Sequence, residues 1–516
     1  MSDLPKDSRT IFKKSEKIVI RTESGQRYFF FEPLNQLKIL FQEYRSKIGQ
    51  IPEILSISLN IDGVSPFKNA KKNEGFWSIL GKIHGLKKDI VFPLAMCYGK
   101  GKPVSLDFMK ETMTSLQSLF DNGFQNVRFV LKLICCDLPA KSFVKAINSF
   151  NSKEGACDCC KIKGYWCYDS HKVLFEIPKD PLRMHGLRTN DEFRSHSADN
   201  QLPASRSPLT ILRDLDIVRD VNMDVMHGGF GGVVKRIIEI WVCGNNIFPK
   251  FPEALIQRIN SRIAIFNKSV VNKCFDQKPK EISDFKNYKS DDFRVFLLYA
   301  APFVLQDIPP DQYQSFMCLH QGISLLENQK YIDEHSEYAH KLIHTFLVQS
   351  RYMYGTSFLT FNFHGILHYA EDARRHGPLT SYSAFLFESF NSKFCRFLRS
   401  RTHPLTEFAN RYYETINVSF FCFSPVHANI TTFVIERNLV EVVNVKDMVN
   451  DSILCRVYLN ASHVYNLHCN SLLLSIMQFC AQNFREVYIA RDRLVKQCIK
   501  VQHNEIVTCI PLLHTV

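Results

Sequence analysis

Apolar and polar positions follow different periods along the chain, and the changes of period divide it into regions. After Pro33, the stretch 27–50 has apolar residues at helical spacing. An amphipathic stretch at 107–123 predicts a second helix, closed by Asn122-Gly123. Buried strands are predicted for three apolar, β-branched runs: ILSISLNID (54–62), VFPLAMCYG (91–99) and VRFVLKLICCDLPA (127–140). Because strands and helices alternate here, the first 150 residues indicate an α/β layer.

The pattern changes twice more toward the C-terminus. After an irregular stretch at about 160–210, residues 211–370 have mainly helical periodicity, which predicts an all-α block. One more helix is predicted at 383–401. After residue 415 short β-branched runs return, and they predict a small β-rich terminal region.

Composition narrows the class of protein. Of the 516 residues, 45% are hydrophobic and 22% are charged, which is typical of a globular chain. The net charge of +13 permits a polyanionic partner such as DNA without requiring one. The polar N-terminus does not resemble a secretory signal, and no apolar run is long enough for a membrane span. The 17 cysteines are therefore interpreted as reduced thiols, with room for one metal site, in a cytosolic or nuclear protein.

Two carboxylates are predicted at the ends of strands. Asp62 closes the first strand and Asp137 ends the apolar part of the third. Each could simply cap the turn that follows. Acids at the ends of neighbouring strands can also share Mg²⁺, and a pair of such ions can clamp both oxygens of a phosphoryl displacement. A centre of that kind usually needs a third acid from elsewhere in the chain.

Cysteine and histidine pairs have the spacing of zinc ligands. Cys157 and Cys160 are separated by two residues in ACDCC, and His364 and His368 lie at i and i+4 in HGILH. Packed free thiols and a surface histidine pair are the alternatives. Together the four would complete a closed Cys₂His₂ tetrahedron, that is, a structural zinc site. The competing ligands, ranked lower, are Cys159, Cys167 and His171.

Asp224 and His227 precede the glycine-rich stretch GGFGG, which we interpret as a turn leading into a helix. The stretch lacks the lysine of a phosphate-binding loop. Asp224 is expected to cap the helix, with a part for either residue as an alternative metal ligand left open.

A basic strip follows an acid on the helix predicted at 383–401. Glu388 stands among aromatic residues, which is compatible with a buried or cleft-facing acid. The cations recur at roughly three-residue spacing, as expected either for a solvated face or for a strip that holds DNA phosphates. They are Lys393, Arg396, Arg399 and Arg401.

Read in order, the segments NIDGVSPF, CDLPA, ACDCC, DVMH, HGILH and FESFNSKFCRFLR resemble transposases of the CACTA (En/Spm) group within the CACTA–Mirage–Chapaev superfamily. The resemblance runs from about residue 30 to the end. It implies a DDE triad of Asp62, Asp137 and Glu388, holding two catalytic Mg²⁺ or Mn²⁺ ions. It also assigns the family's zinc ligands to Cys157, Cys160, His364 and His368.

The resemblance implies an α/β RNase H-like catalytic core interrupted by a large all-α insertion domain and followed by a small β-rich C-terminal domain. The expected regions are a flexible lead-in (1–26), the first part of the core (27–160), an irregular and helical insertion (161–370), the last core helix with the third acid (371–415) and the β-rich domain (416–516).

The implied function is cleavage of DNA phosphodiesters and strand transfer in the nucleus. The expected partners are transposon ends and target DNA, with at least a homodimer for synapsis and no membrane. One alternative is a domesticated, catalytically silent DNA- or chromatin-binding protein on the same scaffold. It is favoured by the lack of a zinc-finger or helix-turn-helix signature before the core. A metal-dependent nuclease without strand transfer is a third reading.

Overall fold

The computed structural model describes residues 18–513 except 68–73, 88, 181–186, 271–274, 276, 397, 400–401, 417–421, 424–431, 436, 450–451 and 467–469. The strands of this part are β1 (Arg21–Glu23), β2 (Gln26–Phe30), β3 (Ile54–Val64), β4 (Glu74–His84), β5 (Asp89–Lys100), β6 (Arg128–Cys136), β7 (Tyr165–Cys167), β8 (Lys172–Leu174), β9 (Val221–Met223), β10 (Cys422–Phe423), β11 (Thr432–Ile435), β12 (Asn438–Val449), β13 (Ser452–Tyr458), β14 (Ser462–His463), β15 (Met477–Cys480), β16 (Phe484–Ala490), β17 (Lys496–His503) and β18 (Ile506–Pro511).

The α-helices of the same part are α1 (Pro33–Lys47), α2 (Lys110–Asn122), α3 (Leu138–Val144), α4 (Asn190–Arg194), α5 (Lys235–Cys243), α6 (Glu253–Ser269), α7 (Ser290–Val295), α8 (Ala301–Val304), α9 (Pro310–Leu325), α10 (Gln329–Tyr354), α11 (Phe361–Gly365), α12 (Tyr369–His376), α13 (Phe385–Cys395) and α14 (Pro404–Ile416). A π-helix, Met226–Val234, leads directly into α5.

The chain divides into two compact units. The first unit comprises 1–161, 186–224 and 382–425, and the second comprises 162–185, 225–381 and 426–516. The predicted insertion at 161–370 therefore differs from the observed division, because 186–224 returns to the first unit and contributes β9 to its sheet.

The first unit is built on a mixed sheet of order β1-β2-β5-β4-β3-β6-β9, with β10 paired to β5. The pairs β3–β6 and β6–β9 are parallel, and the other pairs are antiparallel. The mixed α/β sheet with parallel strands expected from the sequence is thus confirmed. The hairpin of β1 and β2 lies in and just after the stretch predicted as a flexible lead-in, and residues 1–17 lie outside the described part.

Helices pack on both faces of this sheet because side chains of a strand alternate between its faces. Phe41 of α1 stacks on Phe129 of β6, with ring centroids 6.1 Å apart. On the other face, Phe408 of α14 lies 5.8 Å from Phe76 of β4. Phe76 and Ser78 share a face, and Ser78 is paired with Asp62 of β3, so this second face is the one that carries Asp62.

The second unit holds the helical middle region and a C-terminal antiparallel β half-barrel, as expected from the sequence in outline. In the helical region α9 and α10 pack closely, since a Cβ on Gly322 would lie 2.8 Å from the side chain of Ile343. The half-barrel has the strand order β14-β15-β18-β17-β11-β12-β13-β16. Its buried side chains include Leu439, Met477, Val507 and Cys509.

Candidate metal centre

The first two predicted acids stand at the same end of two parallel strands. Asn60 of β3 is in register with Cys135 of β6. Asp62 and Asp137 follow these residues at i+2, so the two acids continue the same face at the same height of the sheet. Asp62 is half-buried inside β3, which runs two residues further than predicted, and Asp137 follows β6 directly.

The third predicted acid comes close to the first. One ligand oxygen of Asp62 and one of Glu388 lie within 4.8 Å of each other. Glu388 is exposed in the first turn of α13, and Asp62 is half-buried. Both carboxylates therefore meet at a place that solvent, or a hydrated cation, can reach.

Asp137 also caps the helix that follows it. Its Oδ1 accepts a hydrogen bond of 2.7 Å from the backbone N–H of Ala140 and caps α3, as the simpler interpretation of this residue predicts. Asp62, Asp137 and Glu388 do not form one group with all ligand atoms within 4.8 Å. Lys102 lies near Asp137: burial lowers the pKa of its ammonium group, and the charge of Asp137 opposes that shift.

The acids concentrate negative charge at this edge of the sheet. Burial raises the pKa of the Cys135 thiol, and the charges of Asp224 and Asp62 raise it further. Burial likewise raises the pKa of the neighbouring Cys136, with contributions from Asp137 and Asp62. Both shifts favour the protonated thiol, which is a weaker nucleophile than the thiolate.

Asp224 does not cap the helix that follows it. The residue before the π-helix is Val225, which offers no side-chain hydrogen bond, and the glycines predicted to form a turn lie inside the π-helix. The Oδ1 atom of Asp224 instead accepts a hydrogen bond of 2.9 Å from the backbone N–H of Ala384, at the start of α13. His227 is half-buried within the π-helix, and its part as a metal ligand stays a prediction.

The basic strip is less regular than predicted. Helix α13 ends at Cys395, so that it includes Lys393, and Arg396 is its C-terminal capping residue. Arg399 donates its backbone N–H to the carboxylate of Glu407 at 3.0 Å. Lys393, Arg396 and Arg399 are exposed, and Arg401 lies outside the described residues. Phosphate binding by the strip stays a prediction.

The loop with the cysteine pair is held by buried charges. Asp158 stands between the two cysteines, forms a short ion pair with Lys145 and lies 3.1 Å from the ammonium of Lys141. Arg188 donates its Nε–H to the carbonyl of Cys157 at 3.0 Å and its backbone N–H to the carbonyl of Cys159 at 2.7 Å. These contacts fix the direction of the chain around both thiols, which are buried.

The histidine pair has the geometry of two ligands of one ion. His364 is the residue before Gly365, at which α11 ends, and His368 is the last residue of the 3₁₀ turn that follows. Their Nε2 atoms are 3.4 Å apart, and two nitrogens bound tetrahedrally to one zinc would be about 3.3 Å apart. Cys157, Cys160, His364 and His368 form a buried Cys₂His₂ group, with one ligand atom of each within 4.8 Å of the others. This group could hold a metal such as zinc, and the competing ligands Cys159, Cys167 and His171 are not part of it.

None of the helices in the described part of the chain combines the length and the apolar character that a membrane crossing requires. In comparisons with known proteins, no family model matches this chain and no curated protein is significantly similar to it.

Proposed function

We propose that this protein is a DDE transposase, or a protein derived from one, that cleaves DNA phosphodiesters with divalent metal ions. The observation that carries the proposal is the approach of Asp62 and Glu388 to within 4.8 Å, beside the parallel strand that delivers Asp137. Three acids at the end of two adjacent parallel strands and on a helix across the same face suit Mg²⁺ or Mn²⁺, which prefer carboxylate oxygens.

Asp62, Asp137 and Glu388 would hold the two catalytic ions. Bound there, the ions would activate a water for attack on the phosphodiester and stabilise the departing 3′-oxygen. The protein supplies position: Asp62 is fixed by β3 and Glu388 by α13. Asp137 would offer its Oδ2 atom to the ions, since its Oδ1 caps α3. No protein nucleophile is needed in such a mechanism.

The surroundings of the acids support a nucleic acid as substrate. Lys393, Arg396 and Arg399 are exposed on the chain just after Glu388, and Lys102 lies next to Asp137. Cations beside a metal centre can position phosphates without reading sequence. The net charge of +13 acts in the same direction.

The mixed sheet with its β3–β6–β9 parallel strands is compatible with an RNase H-like core, and the resemblance to CACTA transposases supplies the family. In the Cys₂His₂ group the protein would supply all four ligands of a tetrahedral zinc. A zinc held there would therefore be structural, with no position open for substrate.

The chemical groups at the ends of a cleaved DNA duplex test the proposed activity. Purified protein is incubated with a labelled DNA duplex and Mn²⁺, beside Asp62→Asn and the control Glu414→Gln, a half-buried acid paired with Arg411 on α14. We expect 3′-hydroxyl ends from the wild type and the control, and a loss of at least about 100-fold in Asp62→Asn.

Joining of the new 3′-hydroxyl to a second duplex would separate a transposase from a nuclease. Normal cleavage by Asp62→Asn would contradict the assignment of the metal centre. Binding without cleavage by all three proteins would favour the catalytically silent DNA-binding protein.

A further inference from the structure

The helix that carries Glu388 begins without a cap of its own. Ala384 precedes α13, and alanine has no polar side chain with which to receive the first backbone N–H groups. The N–H of Ala384 instead donates to Oδ1 of Asp224 at 2.9 Å, across 160 residues of sequence. A carboxylate at this place also interacts favourably with the positive end of the helix dipole.

Asp224 is itself fixed to the sheet that carries the other acids. It directly follows β9, which is parallel to β6, and its backbone N–H donates to the carbonyl of Cys136 at 3.0 Å. Its side chain has no exposed surface and lies in hydrogen-bond contact with the thiol of Cys135. The parallel strands β3, β6 and β9 thus deliver Asp62, Asp137 and Asp224 to one edge of the sheet, and Asp224 is the acid among them that is buried against α13.

A second contact holds α13 about one turn after Glu388. Asn391 Nδ2 donates to Oγ of Ser78 at 3.4 Å, and Ser78 is the partner of Asp62 in the β3–β4 pairing. Glu388 therefore lies between two anchors, Ala384 on Asp224 and Asn391 on Ser78. Because Ser78 is paired with Asp62 and Asp224 directly follows the strand beside β6, the two anchors set the distance between the Glu388 and Asp62 carboxylates.

We infer that Asp224 is a positioning residue of the metal centre, which anchors the start of α13 so that Glu388 faces Asp62. The effect of Asp224 on catalysis rests on the proposed function, whereas its hydrogen bond with Ala384 is observed in the structure. Asp224 would not bind the catalytic ions, since its carboxylate is engaged by Ala384 and shielded from solvent.

Asp224→Ala and Asp224→Asn test the inference through two measurements. The first is hydrogen exchange of the α13 amides, which does not depend on activity. The second is the Mn²⁺ concentration at half-maximal nicking of plasmid DNA. We expect Asp224→Ala to speed α13 exchange and to raise the Mn²⁺ midpoint, each by about tenfold. Asp224→Asn keeps an oxygen acceptor for Ala384 and should stay within about threefold of the wild type in both.

Thr189→Ala is the matched control, because Thr189 accepts a hydrogen bond from the Glu192 N–H and caps α4 in the same unit. It removes a helix cap of similar strength and should leave the Mn²⁺ midpoint unchanged. A merely structural role for Asp224 would make Asp224→Ala behave like this control. If Asp224→Ala does not fold, Asp224→Ser takes its place, since serine is polar but too short to reach Ala384.

The outcomes separate the inference from the proposed function. Unchanged α13 exchange in Asp224→Ala would overturn the inference whatever the nicking rate, and so would faster exchange with an unchanged Mn²⁺ midpoint in a protein that nicks. A wild-type protein that neither binds Mn²⁺ nor nicks DNA would overturn the proposed function, and the catalytic part of the inference with it.

Discussion

At the scale of single residues, the sequence indicates where the acids stand but not what each one contacts. Asp62 and Asp137 are predictable because each follows an apolar, β-branched run, and such runs form buried strands. The partner of Asp224 is not predictable in this way. Its hydrogen bond to Ala384 joins residues 160 positions apart, and no local pattern encodes such a contact. Local capping propensity therefore suggested the wrong helix for Asp224.

A buried acid in the second unit predicts how stability depends on pH. Burial raises the pKa of Glu327 from 4.5 to about 7, although hydrogen bonds from Thr380 and the charge of Arg294 oppose the shift. Between these two pH values the folded state binds more protons than the unfolded state. The free energy of unfolding therefore falls as pH rises from about 4.5 to 7, by about 3 kcal/mol for a shift of this size.

Glu327→Gln should remove this dependence. We expect little change in the free energy of unfolding at pH 5 and a gain of about 3 kcal/mol at pH 8, measured by urea denaturation. The control Glu337→Gln removes an exposed acid that pairs with Lys341, and should change stability little at either pH. Equal effects of Glu327→Gln at both pH values would contradict the raised pKa.

The zinc prediction also belongs to single side chains. Cys157→Ser removes one of four ligands, and because metal binding contributes to folding, it should lower both zinc content and stability. We expect bound zinc to fall from one ion per chain to nearly none and the unfolding midpoint to fall by about 10 °C. Elemental analysis and thermal denaturation measure both quantities. The exposed Cys243 gives the control Cys243→Ser. Normal zinc in Cys157→Ser would exclude this residue as a ligand.

At the scale of secondary structure, elements with a clear hydrophobic period are predicted from the sequence. Elements that mix polar or small residues with apolar ones are missed. The expected helix at 107–123 and strand at 91–99 match α2 and β5 closely. Strand β4 was not predicted, because EGFWSILGKIH mixes glycine and lysine with apolar residues. The structure explains both: a Cβ on Gly81 would lie 2.8 Å from the Phe92 ring, and the buried Lys82 reaches Asp89 at 3.4 Å.

The glycines of GGFGG predict a turn but lie inside the π-helix, for a related reason. Glycine suggests a turn by its freedom of conformation, but here it permits close packing within a helix. A Cβ on Gly232 would lie 2.6 Å from the side chain of Asn362, and one on Gly229 would lie 3.3 Å from Tyr369. A packing requirement of this kind depends on distant partners and leaves no local signal.

The end of α2 gives a prediction at the same scale. Gly123 follows α2 with φ of 65°, and a Cβ there would lie 2.6 Å from the carbonyl oxygen of Val127. Gly123→Ala therefore adds a clash to left-handed strain, and we expect a loss of about 2 to 3 kcal/mol. Gly101, with φ of 69° and no atom within 4 Å of its Cβ position, gives the control Gly101→Ala with a loss of about 1 kcal/mol. Equal urea midpoints for the two variants would contradict this account.

At the scale of the whole molecule, the sequence predicts the order of regions better than their boundaries. The α/β layer, helical middle region and β-rich end follow from the changes of period, and the structure confirms them. The return of 186–224 to the first unit was missed because β9 has three residues, too few to show a period. Yet this short strand brings Asp224 to the edge of the sheet where Asp62 and Asp137 lie.

The central claim is that Asp62, Asp137 and Glu388 form a metal centre that cleaves DNA. Its most direct test is the nicking of supercoiled plasmid in Mn²⁺ by wild-type protein beside Glu388→Ala, with DNA binding followed by gel shift. Glu388 is exposed, so its replacement should not disturb folding. We expect nicking by the wild type, a loss of at least about 100-fold in Glu388→Ala, and equal DNA binding by both. Equal nicking by the two proteins, or none by either while DNA is bound, would contradict the account.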